Sequence, residues 1–372
     1  MDRLQIAFFG ATNSGKSTLV NALAGQEVSL VSELPGTTTD PVRKVIDLPG
    51  LGPCVLVDTA GYGDSGALGA ERERRSRAVV DATDIAVLLR SGHPEDDRWV
   101  QLLKTAGVPV VEIRSHSEGI PEMAAGLLPR LRAAQPAEEQ RLLTGGLVGK
   151  DDIVVLVMPQ DSEAPKGRLI LPQVQVLREL LDLGCIPVCC QPEGLQRALD
   201  GLGAPPALTI TDSQAFAKVD AILPKDSPLT SFSILLAGAK GDIRTFIEGA
   251  KAIGTLRPGD RVLIAEACTH VPDTEEIGRV KIPNLLKKKA GGDLEVTIAA
   301  GNDFPDDLTP YRLIIQCGGC VATERLLRSR IRKALLAGVP ITNSGIALAA
   351  LTGILERVVT PRCSRGSVPS GS

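Results

Sequence analysis

Residues 4–18 read Leu-Gln-Ile-Ala-Phe-Phe-Gly-Ala-Thr-Asn-Ser-Gly-Lys-Ser-Thr, an apolar run that passes directly into a loop bounded by two glycines. The run 4–9 predicts a buried strand, and the pattern over 16–24 predicts a helix. Between them, Gly10-Ala11-Thr12-Asn13-Ser14-Gly15-Lys16-Ser17 satisfies the phosphate-loop pattern G-x-x-x-x-G-K-[ST] in full. The physical logic requires that order. Glycines let backbone N–H groups close around phosphates at a helix N-terminus, Lys16 reaches the outer phosphates, and the Ser17 hydroxyl serves magnesium. The expected nucleotide-binding residues here are Gly10, Asn13, Ser14, Gly15, Lys16, Ser17 and Thr18.

Outward from this loop, strand-like runs recur at 42–48, 54–58, 84–89 and 108–113 with helical patterns between them. That alternation predicts an α/β domain with a mostly parallel sheet over residues 1–145, closing in a polar stretch bearing Pro and Gly at 135–149. Asp58-Thr59-Ala60-Gly61 follows the apolar strand, so Asp58 is placed to hold a magnesium water and the Gly61 N–H to meet the γ-phosphate. The threonine-rich Pro35-Gly36-Thr37-Thr38-Thr39-Asp40 lies between the two motifs, where Thr38 is the candidate switch residue for magnesium. Lys16, Thr38, Asp58 and Gly61 are therefore the catalytic candidates.

In order and spacing, these three elements resemble the GTPases of the Era and TrmE type. The resemblance implies GTP and GDP as nucleotides, with Mg2+. Tyr62 stands directly after the Gly61 position, where Ras-like proteins carry the water-positioning glutamine, which implies slow hydrolysis. Asn13 matches the asparagine with which potassium-activated members hold a K+ ion. The guanine-reading N-K-x-D is absent. After the strand ending near Ile113 the chain reads Arg114-Ser115-His116-Ser117, with no carboxylate where the Asp would stand.

The remaining chain predicts two smaller α/β layers. One, at 150–225, has strands at 152–157, 186–190 and 207–210, and helices at 172–183 and 194–201. The other, at 228–358, begins with a helix near Leu229. It continues with a helix at 242–253, strands at 261–266, 294–299 and 311–316, and helices near 274–289, 321–337 and 343–356. A Ser- and Gly-rich tail at 359–372 is expected to be disordered.

The 372 residues are too many for one ordinary core. With 43% hydrophobic and 23% charged residues and a net charge of −3, the chain has a globular composition, and 2% aromatics leave the cores to Val, Leu, Ile and Ala. The mildly acidic balance argues against nucleic acid as a partner. Lys287, Lys288 and Lys289 form a tight basic cluster, expected as a solvated helix end. With no signal-like N-terminus and no apolar run able to span a bilayer, the expected location is the cytoplasm without membrane attachment, where the eight cysteines are thiols or metal ligands.

Two cysteine groups sit at the carboxyl ends of predicted strands: Cys268-Thr269-His270 and Cys317-Gly318-Gly319-Cys320. Open α/β sheets place ligands there. A Cys₃His zinc site and an iron-sulfur cluster on three thiolates are both chemically consistent with these residues. Cys54, Cys185, Cys189 and Cys190 are expected to be buried, His93 and His116 to be surface histidines, and Glu266 to be either a partner near the metal or a solvated carboxylate.

A TrmE-type GTPase domain, a small α/β domain, and C-x-H followed by C-x-x-C resemble, as a set, the FeFe-hydrogenase maturation GTPases of the HydF family. That resemblance implies GTPase, dimerisation and cluster-binding domains, with a 4Fe-4S cluster on Cys268, Cys317 and Cys320 and His270 as a candidate fourth ligand. It implies a homodimer that takes a di-iron precursor made with radical-SAM maturases to apo FeFe-hydrogenase. The chain departs from the family at Gln316, where a histidine usually precedes C-x-x-C. The competing function is an Era- or TrmE-like GTPase acting on RNA with a structural zinc domain, although no KH-like GxxG module accompanies the GTPase motifs.

Overall fold

In the computed structural model the described residues are 3–25, 32–34, 42–63, 67–115, 119–136, 142–160, 169–267, 277–301, 303–320, 322–358 and 360. The chain divides into two compact units, Met1–Glu139 and Gln140–Ser372.

The first unit runs β1 (Leu4–Gly10), α1 (Lys16–Gly25), β2 (Ser32–Leu34), β3 (Val42–Leu48), β4 (Gly52–Asp58), α2 (Ala67–Val80), β5 (Ile85–Arg90), α3 (Asp96–Thr105), β6 (Val110–Arg114) and α4 (Ile120–Ala133). Its sheet order is β2-β3-β4-β1-β5-β6. The pairs around β1 and β5 are parallel, while β2 and β3 form an antiparallel edge. Successive residues of β1 point to opposite faces of the sheet. Ile6 and Phe8 pack with Leu19, Leu23 and Leu127 of α1 and α4, and Ala7 and Phe9 with Val79, Trp99 and Leu103 of α2 and α3. Burial on both faces is why the central strands read as nearly unbroken apolar runs. The phosphate loop therefore leaves the carboxyl end of a strand at the middle of the sheet, held by cores on both sides.

The second unit holds two four-stranded parallel sheets. The first consists of β7 (Ile153–Val157), β8 (Ile186–Cys190), β9 (Leu208–Thr211) and β10 (Leu229–Ser231) in the order β10-β9-β7-β8, with helices α5 (Leu171–Asp182), α6 (Leu195–Asp200) and α7 (Phe216–Ile222). After α8 (Phe232–Lys240) and α9 (Ile243–Ala250), the second consists of β11 (Arg261–Ala265), β12 (Glu295–Ala299), β13 (Leu313–Gln316) and β14 (Ile341–Asn343) in the order β12-β11-β13-β14. Its helices are α10 (Ile282–Ala290), α11 (Glu324–Leu336) and α12 (Ser344–Leu351). One hydrophobic core runs from Val155 and Phe216 through Ile234 and Phe246 to Ile264, Ile314 and Ile346. The segments expected at 150–225 and 228–358 thus lie in a single compact unit.

The alternation of strands and helices matches the expected α/β class. Several local expectations differ. Leu229 opens β10, paired in parallel with β9, and the helix begins at Phe232, capped by the Ser231 hydroxyl accepting from Ile234 N at 3.3 Å. The helix expected from Val321 begins at Glu324. Cys54 and Cys185 are buried, but Cys189 is exposed and Cys190 half-buried, because β8 is an edge strand. Lys287, Lys288 and Lys289 fill the last turn of α10 before the left-handed Gly291, as the helix dipole favours. Of the tail at 359–372, only Thr360 lies among the described residues. Among those residues, no helix is long and apolar enough to cross a membrane.

Candidate functional site

The phosphate loop is folded around its lysine. Lys16, 6% exposed, donates through Nζ to the carbonyls of Gly10 at 3.0 Å and Ala11 at 2.8 Å, and lies 3.5 Å from Ser14 Oγ. Ser14 N donates to Ala11 O at 3.1 Å, closing the turn. Asn13 and Gly15 take left-handed backbone conformations, φ 62° and 93°, which asparagine and glycine tolerate best. A side chain at Gly10 would place its Cβ 2.9 Å from the Leu89 carbonyl. Ser17 and Thr18 are exposed at the open N-terminal turn of α1.

Strand β4 delivers Asp58 beside this turn. Burial is the main cause raising its carboxyl above the ordinary aspartate value, while a hydrogen bond with Ser17 and the charges of Lys16 and Lys44 pull it back. Asp58 Oδ1 is buried and takes no hydrogen bond among the described residues. An orphaned carboxylate oxygen beside a serine hydroxyl suits a divalent cation, which would relieve the desolvation that raises the carboxyl. Thr38 lies outside the described residues. Gly61 packs so closely on the phosphate loop that a Cβ there would come within 2.5 Å of the Thr12 backbone.

The contacts of two residues of this unit are not legible in the sequence. Ser115, in the stretch that replaces the guanine motif, donates from Oγ to the Ser14 carbonyl at 2.6 Å and so ties the end of β6 to the phosphate loop. His93 is half-buried rather than free on the surface, its ring edge-on to Tyr62 at 5.9 Å. His116 lies outside the described residues.

In the second unit, β11 and β13 pair in parallel with Ala265 opposite Gln316, and Cys317 N donates to Ala265 O at 2.9 Å. The segments carrying the two cysteine groups therefore leave the sheet side by side. Cys268 and His270 lie outside the described residues, and among the described residues no group of three or more His, Cys, Asp or Glu gathers to hold a metal. Two N–H donors converge on the Cys317 sulfur, Ala267 N at 3.1 Å and Gln316 Nε2 at 3.4 Å. That arrangement fits a sulfur carrying negative charge in a metal bond. Gln316, 1% exposed, accepts on its oxygen from Arg330 at 2.9 Å, so both ends of its amide are committed.

Two buried cations stand beneath this region, one on the turn and one on the strand ends before it. Lys240, at the end of α8, donates to the carbonyls of Gly319 at 3.2 Å, Cys320 at 3.4 Å and Ala322 at 3.0 Å. Arg330, 1% exposed on α11, donates to the carbonyls of Glu266 and Gly301 and lies over the Phe304 ring. Glu266 is 5% exposed and forms a two-pronged ion pair with Arg279, 2.6 Å at its shorter contact, which excludes the solvated alternative.

Three family models cover most of the chain. Residues 5–115 match the 50S ribosome-binding GTPase model, 143–241 the hydrogen maturase F dimerization domain, and 244–361 the hydrogen maturase F tetramerization domain. Among curated proteins, the tRNA modification GTPase MnmE of Acidiphilium cryptum is 50% identical over 86 residues, 23% of this chain and 20% of that protein. MnmE of Rhodospirillum rubrum is 43% identical over 117 residues, 30% of this chain and 26% of that protein. The match thus spans about a quarter of the length of these relatives. Among solved structures, the G domain of the T. maritima FeoB iron transporter aligns at 22% identity and TM-score 0.24, covering 34% of this chain and 98% of that one. Aquifex aeolicus Era aligns at 16% identity and TM-score 0.25, covering 81% and 94%.

Proposed function

Since the chain belongs to the hydrogen maturase F family, with dimerization and tetramerization models over 143–241 and 244–361, we propose that it is a GTPase scaffold of FeFe-hydrogenase maturation. In this reading it holds a 4Fe-4S cluster, receives a di-iron precursor as cargo from radical-SAM maturases, and delivers it to apo FeFe-hydrogenase. It works as a homodimer in the cytoplasm, paired through the segment 150–225. The supporting observation is the parallel pairing of β11 and β13 at the centre of their sheet, Ala265 opposite Gln316, from whose carboxyl ends the chain runs on toward Cys268 and into Cys317.

Cys268, Cys317 and Cys320 would hold the cluster, with the fourth iron left to an exchangeable ligand, for which His270 is the candidate. Bound there, the cluster would supply an iron with a coordination position open to cargo. Around it the chain's own residues have separate tasks. Ala267 N and Gln316 aim donors at the Cys317 sulfur, Lys240 fixes the turn, and Arg330 ties the ends of β11 and β13 to α11.

In the first unit, Lys16 and the loop amides from Gly10 to Thr18 hold the triphosphate. Ser17, Thr38 and Asp58 serve magnesium, Gly61 N–H meets the γ-phosphate, and Asn13 supports K+. Hydrolysis is slow, because the residue after Gly61 is a buried tyrosine. The alternative of an RNA-directed GTPase with a zinc domain loses its ground, because the segments after the GTPase domain match hydrogen maturase F models.

The test is reconstitution. Protein loaded anaerobically with the maturases and then separated from them is expected to confer hydrogen evolution on apo FeFe-hydrogenase. No activation by loaded wild type, or equal activation by a Cys317→Ala, Cys320→Ala variant, sinks the scaffold reading.

A further inference from the structure

Behind Gly61, three buried side chains meet that the phosphate chemistry does not use. Tyr62 is 3% exposed, and its phenol donates to Asp96 Oδ1 at 2.6 Å. Its ring stacks on Trp99 with centroids 5.3 Å and planes 13° apart, and Trp99 stacks on Phe9 of β1 at 5.4 Å. Asp96 opens α3 and is 1% exposed. Its second oxygen accepts from the amides of Ser91 and Gly92 at 3.0 and 2.9 Å, so the turn from β5 into α3 holds one oxygen of the carboxylate and the Tyr62 phenol the other.

The main chain of Tyr62 faces the other way. Tyr62 N donates to Gly10 O at 3.3 Å, and Thr12 N donates to Tyr62 O at 3.0 Å, so the residue is laid alongside the phosphate loop as a short parallel bridge. A single residue therefore has its backbone on the nucleotide loop and its side chain on α3. Burial, reinforced by the Asp96 carboxylate, pushes the phenol well above its usual value, so it stays protonated and remains a donor. Committed to Asp96, that hydroxyl cannot orient a water over the γ-phosphate.

We propose that Asp96 is a positioning residue that couples occupancy of the γ-phosphate position to α3, acting through the Tyr62 phenol. A triphosphate that draws the Gly61 N–H toward its γ-phosphate must shift Tyr62, its chain neighbour, while a diphosphate exerts no such pull. The bond that resists the shift is a charge-assisted O–H···O⁻ contact, among the stronger hydrogen bonds proteins make. The ring stack is packed from Phe9 to Trp99 and does not deform continuously, so the displacement passes to the first turn of α3. The coupling rests on the reading of the phosphate loop as a triphosphate site.

Trp99 is the single tryptophan of the chain, so its emission reports this contact without a label. Full-length protein is titrated with GDP and with a non-hydrolysable GTP analogue in Mg2+, with binding followed separately by calorimetry. Wild type is expected to show a larger change in Trp99 emission with the analogue than with GDP. In Tyr62→Phe, which keeps the ring and removes the hydroxyl, and in Asp96→Asn, the difference between the two nucleotides should be lost. Equal emission with both nucleotides bound to wild type overturns the coupling without any variant, and so does a full difference persisting in Tyr62→Phe. Calorimetry that detects neither nucleotide on wild type overturns the nucleotide reading itself, and the coupling with it.

Discussion

The phosphate loop draws nearly all of its chemistry from eight consecutive residues, whereas the turn at Cys317–Cys320 borrows its supports from across its unit. Lys16 bonds to carbonyls five and six positions away. Lys240 reaches carbonyls about eighty positions away, and Arg330 reaches the Glu266 carbonyl from a different helix. A site made of local chain is written as a motif, and a single substitution in it removes function while the fold survives. A site made of distant pieces is held by buried charges, whose loss disturbs position before it disturbs the fold.

The comparison breaks if the two sites do not separate by mutation. Lys16→Ala removes the charge nearest the outer phosphates as negative charge redistributes. GTP turnover should fall by about a thousandfold, roughly 4 kcal/mol of transition-state stabilisation, with the iron content of reconstituted protein unchanged. Phosphate release and iron assays on one preparation check both halves, and iron loss in this variant would join the two sites.

The converse substitution is smaller in effect. Lys240→Met keeps the length of the stem but leaves the Gly319, Cys320 and Ala322 carbonyls without that donor. By analogy with residues that support metal ligands, iron affinity should fall on the order of tenfold, with GTP turnover near wild type. A competition titration with an iron chelator measures it, and unchanged retention would show that the cysteines hold the turn unaided.

The smallest expected effect concerns Asn13, whose left-handed backbone places it at the exposed edge of the phosphate loop. Wild-type turnover should be faster in KCl than in NaCl at equal ionic strength. Equal rates would remove potassium from the account and leave the rest of the loop untouched.

The same contrast explains what could be read in the sequence. The strand 186–190 matches its observed bounds as an apolar run, and 42–48, which carries Arg43, Lys44 and Asp47 among its Val, Ile and Leu, as a stretch that ends at the Pro49-Gly50 turn. β10 and β14 are hard to read in the sequence because each is three residues long, has a single apolar residue and runs directly into a helix. Cys189 looked buried because an edge strand has the same composition as a central one, and only the sheet order distinguishes them. In the nucleotide site the roles of Lys16 and Asp58 followed from the motif, but nothing local signals that Ser115 reaches the Ser14 carbonyl. Arg330 sits in Glu324–Leu336, a helix rich in arginine that reads as solvent-facing. Its burial is decided by carbonyls brought to it by other strands.

The central claim, a cluster scaffold joined to a GTPase, is tested most directly by anaerobic reconstitution with iron and sulfide, followed by metal analysis and EPR of the reduced protein. The account predicts a brown protein with iron and sulfide in 4Fe-4S proportion, an EPR signal that shifts when imidazole or cyanide is added, and loss of the full cluster in Cys317→Ala. A colourless protein holding stoichiometric zinc when isolated from iron-replete anaerobic cells, or a full cluster retained by Cys317→Ala, would contradict it.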